Sequence, residues 1–421
     1  MVEGNQIVLG IDLCEDITQV TIMRPYAAEP DAVKFDEINR REFLPTRLVK
    51  SEKGEWNLEE NAEKAQIEGV SFYDAAVGGR KIKYRDAEYD AFDLLESFLL
   101  LLLKNIGERY KGFEIGFLTV VCERPKQKGL NSVEVIRKAL ERLGLSTERA
   151  LVVKHSEAAL HYAIHQEESL WKNGSAVFDY TAEGLRFYSI ECRISAGKRL
   201  LLTNFRDYSE EMPTGAVNEN DAEATALLFE RLAERALEHK PATLYITGRG
   251  FEGEWAKESF RRLSLGRRVF RGQNLYTQGA CYISAEHFFG DGVPDFDIFY
   301  PNQIRYDVYL QAESADDSEI ALAKAGSVYS EISTEVTVLL DTIDRLTFRI
   351  TPVGSTKNSL IKATPGKLAM RSDRTNRYLV RVFFVTVDRM VIQMKEVGFG
   401  DFYPATDRIF EEIVDLSQFE E

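Results

Sequence analysis

The chain shows the same pattern of apolar and polar positions at two places, Ile7–Ile22 (IVLGIDLCEDITQVTI) and Ala176–Ile190 (AVFDYTAEGLRFYSI). In each, an apolar run of strand length ends in an aspartate, Asp12 or Asp179. A short polar turn then leads into a second, alternating apolar run. Runs of this length and alternation are typical of β-strands. We therefore predict a strand, turn, strand unit that is used twice.

Between these hairpins the pattern predicts helices alternating with strands. Asn131 stands three residues before Glu134, the spacing of a capping box, and Gly144 ends the helix that Asn131 opens. The predicted elements are a buried helix from Asp90 to Tyr110, a buried strand from Gly116 to Pro125, the amphipathic helix SVEVIRKALERLG, the strand ALVVK and the helix SEAALHYAIHQ.

The second half of the chain changes character near Gly290. Before it, the pattern predicts a helix from Asp221 to His239, a strand with a glycine turn (ATLYITGRG) and a helix (NLYTQGACYIS). GDGVPDFDIFYPNQ is rich in Gly, Pro and Asp and predicts a linker. Short alternating segments then predict a compact all-β domain, most simply a β-sandwich. These segments are YDVYLQAE, EIALAKAG, STEVTVLL, RLTFRIT, KLAMRS and YLVRVFFVTVDRMVIQM.

Length and composition indicate an ordinary globular protein of two or three domains, with 421 residues, 44% of them hydrophobic and 29% charged. The net charge of -15 disfavours a broad surface for nucleic acid or anionic membrane. The start lacks the pattern of a signal peptide, and the longest apolar run, Phe98–Leu103, is too short to span a bilayer. Cys14, Cys122, Cys192 and Cys281 are widely separated, which favours reduced thiols and a cytoplasmic location.

The order of the elements resembles the actin-like ATPase superfamily, in its branch of 70 kDa heat-shock chaperones. LTVVCERP is similar to the family's ITVPAYF strand and KHSEAALHYA to its NEPTAAALAY helix. ATLYITGRG resembles the adenosine loop VLVGGSSR, and NLYTQGACYIS resembles the closing helix NPDEAVALGAA. The resemblance extends from the start of the chain to about residue 290.

This resemblance implies an α/β, two-lobed ATPase-like fold followed by an all-β domain. The first lobe would occupy residues 1–174 and the second lobe residues 175–289. The interval from Phe178 to Gly248 is too short for the family's upper subdomain, so the second lobe would be reduced. The C-terminal β domain, residues 299–421, stands where the chaperones carry their peptide-binding domain.

The resemblance also implies a set of nucleotide-binding positions. The family's phosphate loops, DLGTTNS and DLGGGT, correspond here to DLCEDIT and DYTAEGL. Asp12 and Asp179 match the acids that hold hydrated magnesium; alternatively, each aspartate only caps its hairpin turn. Gly248 and Gly250 would let adenosine approach; alternatively, they form a common turn after a strand. The implied positions are Asp12, Thr18, Asp179, Gly184, Gly248 and Gly250.

Much of the family's phosphate chemistry is missing from the loops. The first loop has Cys14 in place of a glycine, with Glu15 and Asp16 in place of threonines. Glycine matters there because a residue without Cβ lets backbone N–H groups approach the anion closely. A carboxylate about 4 Å from a phosphate charge is repelled by about 4 kcal/mol at an effective dielectric constant near 20. The second loop keeps Gly184 but has Thr181–Glu183 where the family has further glycines.

The catalytic positions are also substituted. The family's catalytic lysine corresponds to Ala76 and its catalytic glutamate to Lys154. Glu157 is close to the latter in sequence but is expected to be a solvated or capping acid. His155 and His161 lack the i, i+4 spacing of a helical metal pair, which favours surface or interlobe histidines. The basic residues Arg80, Lys81 and Lys83 predict a solvated edge.

Two hypotheses of different classes follow. In the first, the chain is a catalytically degenerate, cytoplasmic scaffold that needs no cofactor and binds a protein, with an extended peptide at a strand edge of the β domain as one form of partner. The alternative is an ATP-dependent, chaperone-like ATPase that binds Mg-ATP between Asp12 and Asp179. A sugar-kinase relative shares the fold and ranks third.

Overall fold

The chain is α/β, with a C-terminal region rich in β-structure, as the sequence predicts. The structure is a computed structural model that describes residues 5–36, 41–59, 69–122, 131–181, 183–195, 197–212, 222–238, 240–290, 296–311, 319–340, 345–363, 376–406 and 408–419. Their contacts define a first compact unit, Met1–Glu191 with Phe205–Pro294, and a second, Cys192–Asn204 with Asp295–Glu421. Among the described residues, no helix is long and apolar enough to cross a membrane.

The first unit begins with a mixed sheet and the helices around it. Its elements are β1 Gln6–Leu13, β2 Ile17–Met23, β3 Asp31–Ala32, β4 Phe43–Pro45, β5 Arg47–Lys50, β6 Trp56–Leu58, β7 Val70–Ser71, α1 Tyr73–Val77, β8 Lys81–Tyr84, β9 Ala87–Asp90, α2 Ala91–Arg109, β10 Glu114–Cys122, α3 Ser132–Arg142, β11 Ala150–Lys154, α4 His155–Ile164 and α5 Glu168–Trp171. The strand order is β11-β10-β1-β2-β3, and β4 also pairs with β2. β1 is antiparallel to β2 and parallel to β10, which is parallel to β11. The carboxyl ends of β1, β10 and β11 therefore lie at one edge of the sheet.

Local signals account for the helix boundaries in this region. Asp90 caps α2 by accepting a hydrogen bond from the backbone N–H of Phe92 at 2.9 Å. The Asn131 side chain accepts a hydrogen bond from the Glu134 N–H at 3.4 Å, which confirms the predicted cap of α3. Residues 123–125, the end of one predicted strand, lie outside the described residues.

A second mixed sheet repeats the arrangement of the first. Its elements are β12 Ser175–Thr181, β13 Gly184–Ser195, β14 Lys198–Asp207, α6 Ala222–Ala236, β15 Thr243–Thr247, α7 Lys257–Leu263, β16 Arg268–Arg271 and α8 Leu275–Phe289. β12 is antiparallel to β13 and parallel to β15, just as β1 pairs with β2 and β10. Asp221 and His239, the ends of the predicted helix, lie outside the described residues.

Helix α8 packs closely against the first sheet and against α4. The Thr21 hydroxyl donates a hydrogen bond to the Thr277 carbonyl at 2.7 Å, and the Ser284 hydroxyl donates to the Leu9 carbonyl at 2.7 Å. Glycine is required at both contacts: a Cβ on Gly10 would lie 2.1 Å from the Thr277 carbonyl oxygen, and one on Gly279 would lie 1.9 Å from the Ala158 carbonyl oxygen. This packing fixes the position of α4 and α8 beside the end of β1.

The second unit is built from antiparallel sheets that share a core. Its strands are β17 Phe296–Phe299, β18 Tyr306–Gln311, β19 Glu319–Ala323, β20 Ser333–Leu340, β21 Leu346–Pro352, β22 Ser359–Ala363, β23 Asn376–Thr386, β24 Arg389–Glu396 and β25 Ile409–Asp415. All of them except β17 form sheets of order β19-β18-β21-β22 and β20-β23-β24-β25. Tyr306 and Phe348 of one sheet and Tyr378 of the other are fully buried in the same apolar cluster. The predicted segment KLAMRS lies outside the described residues.

The tip of the long β13–β14 hairpin also belongs to the second unit. Within that unit, Arg199–Leu202 of β14 pair in parallel with Phe296–Phe299 of β17. The Thr203 hydroxyl donates a hydrogen bond to the Phe299 carbonyl at 2.9 Å. The second unit is therefore assembled from separate stretches of the chain.

Candidate functional site

The two predicted aspartates lie near the carboxyl ends of β1 and β12, at equivalent positions in the two sheets. Asp12 is next to Gln19 of β2 and Val121 of β10 in the strand register. Asp179 is next to Arg186 of β13 and Thr247 of β15. Both carboxylates are buried, with 6% of Asp12 and 2% of Asp179 exposed. Buried carboxylates need compensating partners, so their neighbours define what the site can do.

Asp12 has a buried histidine as its partner. His155 Nε2 lies 2.9 Å from Asp12 Oδ1. His155 is the first residue of α4 and follows β11 directly, so the shared sheet edge brings it to Asp12. The ring of Tyr276, on α8, lies 4.1 Å from the imidazole ring, centroid to centroid. The imidazole is thus held from two sides.

The surroundings of Asp179 disfavour the charged form of its carboxyl group. Burial raises the pKa of the Asp179 carboxyl, and the charges of His155 and Arg186 only partly oppose this. The nearby Tyr276 hydroxyl also lowers that pKa, although neither this hydroxyl nor Asp179 Oδ1 has a hydrogen bond of normal geometry. Arg186 is buried as well and forms an ion pair with Glu183.

Cys14 completes a compact cluster at the end of β1. Its Sγ lies 3.5 Å from Asp12 Oδ1. The ligand-type atoms of Asp12, Cys14 and His155 all lie within 4.8 Å of one another. Asp12 is also close enough to Asp179 for its charge to raise the Asp179 pKa. The structure therefore places Cys14 and His155 beside the predicted Asp12, while Asp179 lies at the equivalent position of the second sheet.

The other predicted nucleotide-binding positions have internal packing roles. The Thr18 hydroxyl is buried and lies 2.9 Å from that of Thr46, so it is hydrogen-bonded within the first unit. Gly184 has φ +119°, and a Cβ there would lie 2.5 Å from Ser209 Cβ. Its glycine is explained by the hairpin turn and by this close approach.

Gly248 and Gly250 also lie against the protein itself. Gly248 has φ +94°, and a Cβ there would lie 2.3 Å from the Tyr180 carbonyl oxygen and 2.6 Å from Asp179 Oδ1. A Cβ on Gly250 would lie 2.4 Å from Tyr180 Cδ1. The tight packing of this loop on Tyr180 accounts for both glycines.

An ion pair joins the first hairpin turn to this glycine loop. Arg249 Nη1 lies 3.2 Å from Asp16 Oδ2, and both side chains are exposed. Exposed pairs of this kind contribute about 0–1 kcal/mol. The pair therefore shows that the two loops lie close together, but it contributes little to stability.

The positions aligned with catalytic residues carry no reactive arrangement. Ala76 is buried in the first core. Glu157 caps α4, because its Oε1 accepts a hydrogen bond from the Lys154 N–H at 3.4 Å, and burial raises the Glu157 pKa. Of the two predicted roles for Glu157, solvated acid or capping acid, the structure shows the capping role.

The contacts of the predicted basic residues and histidines show whether these side chains are exposed. Arg80 pairs with Asp74 at 2.7 Å and Lys81 with Glu88 at 3.5 Å, both on exposed surface as predicted. His161 Nδ1 lies 2.9 Å from Glu286 Oε1 on α8, and this histidine is buried. The surface alternative for His155 and His161 is therefore wrong, because helix packing covers both rings.

Comparison with known proteins places the chain in a family without assigned activity. Residues 303–416 match a domain described as "Domain of unknown function (DUF8552)". No curated protein matches the chain. Residues 29–293, more than half of the chain, match the family described as "Family of unknown function (DUF5716) C-terminal". The chain belongs to this DUF5716 C-terminal family.

Proposed function

We propose that the chain is a catalytically degenerate relative of the actin-like ATPases, close to the heat-shock chaperone branch, that acts as a cytoplasmic protein-interaction scaffold and does not hydrolyse ATP. The repeated hairpins support the proposal, since the first strand of each carries a buried aspartate near its carboxyl end and has a parallel neighbour. In this proposal the first unit has two lobes, with the second lobe reduced.

The observation that carries the proposal is the contact between Asp12 and His155. In the active family, the acid at the position of Asp12 holds the water shell of magnesium. Here its Oδ1 faces the buried His155 Nε2 at 2.9 Å. A hydrated magnesium ion at this oxygen would have to displace the imidazole, which packs against Tyr276.

The loops add a second argument against phosphate binding. Glu15 and Asp16 stand where the family has threonines, and Asp16 forms an exposed ion pair with Arg249. Each carboxylate at about 4 Å from a phosphate charge would cost about 4 kcal/mol at an effective dielectric constant near 20. Gly184, Gly248 and Gly250 pack on the protein's own atoms. Ala76 and Lys154 replace the catalytic groups, so hydrolysis lacks the groups that steady phosphate and position water.

The second unit offers an edge for a protein partner. Among the described residues, β25 pairs only with β24 and ends the sheet. Ile409 and Ile413 on this strand are 53% and 68% exposed. Glu411, Glu412 and Asp415 give the same strand a negative charge. An extended peptide with alternating apolar and basic residues fits such an edge, because it would add a strand and meet complementary charge.

The equivalent, buried positions of Asp12 and Asp179 in the two sheets favour the alternative, a chaperone-like ATPase with divergent loops. In that function both aspartates would contact the water shell of magnesium. ATP turnover separates the two functions. We expect wild-type protein to hydrolyse Mg-ATP no faster than the Asp12→Ala variant. Magnesium-dependent turnover that is lost in Asp12→Ala would establish the alternative.

Peptide selection on the full chain tests the scaffold. Peptides enriched from a random library should be extended and basic, and Ile413→Lys should abolish their binding. Leu360→Lys, on β22 of the other sheet, is the matched control because Leu360 is also exposed. Equal loss in both variants, or enrichment of acidic peptides, would contradict the proposed edge.

A further inference from the structure

We infer that Asp12, Cys14 and His155 form a binding site for a divalent transition-metal ion, with Zn²⁺ as the ion that this ligand set fits best. The three side chains present one carboxylate oxygen, one thiol sulfur and one imidazole nitrogen within 4.8 Å of one another. Zinc in proteins takes carboxylate, thiolate and imidazole ligands.

One of the ligand separations matches a tetrahedral zinc site, and another is shorter than such a site requires. Ligands at zinc bond lengths of about 2.0–2.3 Å lie about 3.3–3.8 Å apart in a tetrahedron. Cys14 Sγ is 3.5 Å from Asp12 Oδ1, and His155 Nε2 is 2.9 Å from the same oxygen. Binding of the ion would replace the direct contact between Asp12 and His155, because both atoms would become its ligands.

The scaffold holds the ligands on regular elements. Asp12 lies inside β1, between paired strands on both sides. His155 opens α4, and its ring packs on Tyr276. The Cys14 N–H donates a hydrogen bond to the Ile17 carbonyl at 3.1 Å, which fixes the turn that carries the thiol. Ligands held in this way lose little conformational freedom when an ion binds.

An independent observation, a buried carboxylate oxygen of Asp179 without a hydrogen-bond partner, points to a cation. The Tyr276 side chain that packs on His155 also reaches Asp179. The buried cation Arg186 is already paired with Glu183. A divalent ion beside Asp12 would supply the positive charge that two buried carboxylates need.

The ligand chemistry distinguishes this ion from the magnesium of an ATPase. Magnesium prefers oxygen ligands and keeps most of its waters, whereas thiolate and imidazole select zinc and similar ions. Three protein ligands leave a fourth position open for water or a partner's side chain. In the proposed function, bound zinc would thus occupy the position at which the actin-like ATPases hold nucleotide magnesium.

Metal titration of the full, untagged chain tests the site. We expect metal-stripped protein to take up one Zn²⁺ per chain in competition with a chromophoric chelator. Co²⁺ in its place should give a thiolate-to-cobalt charge-transfer band. Cys14→Ser should abolish that band and weaken Zn²⁺ binding about tenfold or more. Cys192→Ser is the control, since Cys192 is also partly exposed and lies in the second unit.

Melting curves recorded with a chelator show whether a variant is folded, which separates a folding defect from the loss of a metal ligand. Cys14 is partly exposed, so Cys14→Ser should melt like the wild type in the presence of a chelator. His155→Gln serves as a second ligand variant. Absence of Zn²⁺ uptake by folded wild-type protein would overturn the site, as would equal affinities of the wild type and Cys14→Ser.

Discussion

The contact between Asp12 and His155 makes a direct prediction at the scale of single residues. Asp12→Ala removes the partner of a buried imidazole nitrogen that lies 2.9 Å from the carboxylate. Leaving a buried polar group unsatisfied costs about 1–3 kcal/mol. We expect this loss in the free energy of unfolding, measured by urea denaturation with a chelator present.

Asp16→Ala is the matched control, because it removes an aspartate from the same hairpin. Its partner Arg249 is exposed, so the expected loss is below about 1 kcal/mol. If Asp16→Ala cost as much as Asp12→Ala, the buried pair would have no special role.

The raised pKa of Asp179 predicts a pH-dependent stability difference. An acid with a higher pKa in the folded state binds its proton more tightly there. The contribution of Asp179 is therefore fully present below its ordinary pKa of 3.8 and is lost as pH rises through the folded-state pKa. Asp179→Asn keeps the shape and removes this dependence. In metal-free buffer, the variant should be more stable than the wild type at pH 7.

Denaturation of the wild type and Asp179→Asn at a series of pH values measures the difference in their free energies of unfolding. The stability difference should shrink as the pH is lowered toward 4. Other titrating groups, including Glu157, occur in both proteins and cancel in the difference. A variant less stable than the wild type at pH 7 would show that the charged carboxylate is favoured by its surroundings.

The sequence predicts part of the site for a clear reason. Asp12 and Asp179 follow apolar runs of strand length, so their position at strand ends is a local property. His155 and Tyr276 reach the site only through the order of strands and the packing of α8, which periodicity does not contain. A signal for His155 did exist, since it follows directly after a predicted strand. His161 of α4 and His165, which directly follows that helix, are likewise recognisable as a pair four residues apart, and both contact Glu286.

At the scale of elements, the contact of α8 with α4 gives a sharp prediction. A Cβ on Gly279 would lie 1.9 Å from the Ala158 carbonyl oxygen, and backbone cannot move aside as a side chain can. Gly279→Ala should therefore force the helices apart and destabilise the protein by about 1–3 kcal/mol or more. Thermal and urea denaturation measure the loss.

Gly107→Ala supplies the control on another helix. Gly107 lies within α2, and a Cβ there would have no neighbour within 4 Å. Alanine should raise stability by about 0.4–1 kcal/mol, because it restricts the unfolded chain. If both substitutions stabilised the protein, the close approach of α8 to α4 would be absent in solution.

Helix and strand positions were more predictable than their partners. Asp90, Asn131 and Gly144 are local signals, and the helices begin and end beside them. The pairing of β14 with β17, in contrast, joins residues about a hundred positions apart. No local pattern identifies such a partner, so the sequence did not predict that Cys192–Asn204 belong to the second unit.

At the scale of the whole molecule, the proposed function predicts that the first unit does not bind nucleotide. A ligand at a hundred times its dissociation constant adds about 2.7 kcal/mol of stability. For domains of about 150–250 residues, 1 kcal/mol raises the melting temperature by about 2–4 °C. Bound nucleotide would therefore be visible as a shift of several degrees.

The most direct test is a thermal melt with millimolar Mg-ATP, compared with Mg-ADP and with magnesium alone. We predict the same midpoint in all three, since in the proposed function His155 and the acidic loop side chains would exclude the triphosphate. A higher midpoint with Mg-ATP than with magnesium alone, lost in Asp12→Ala, would contradict the scaffold proposal.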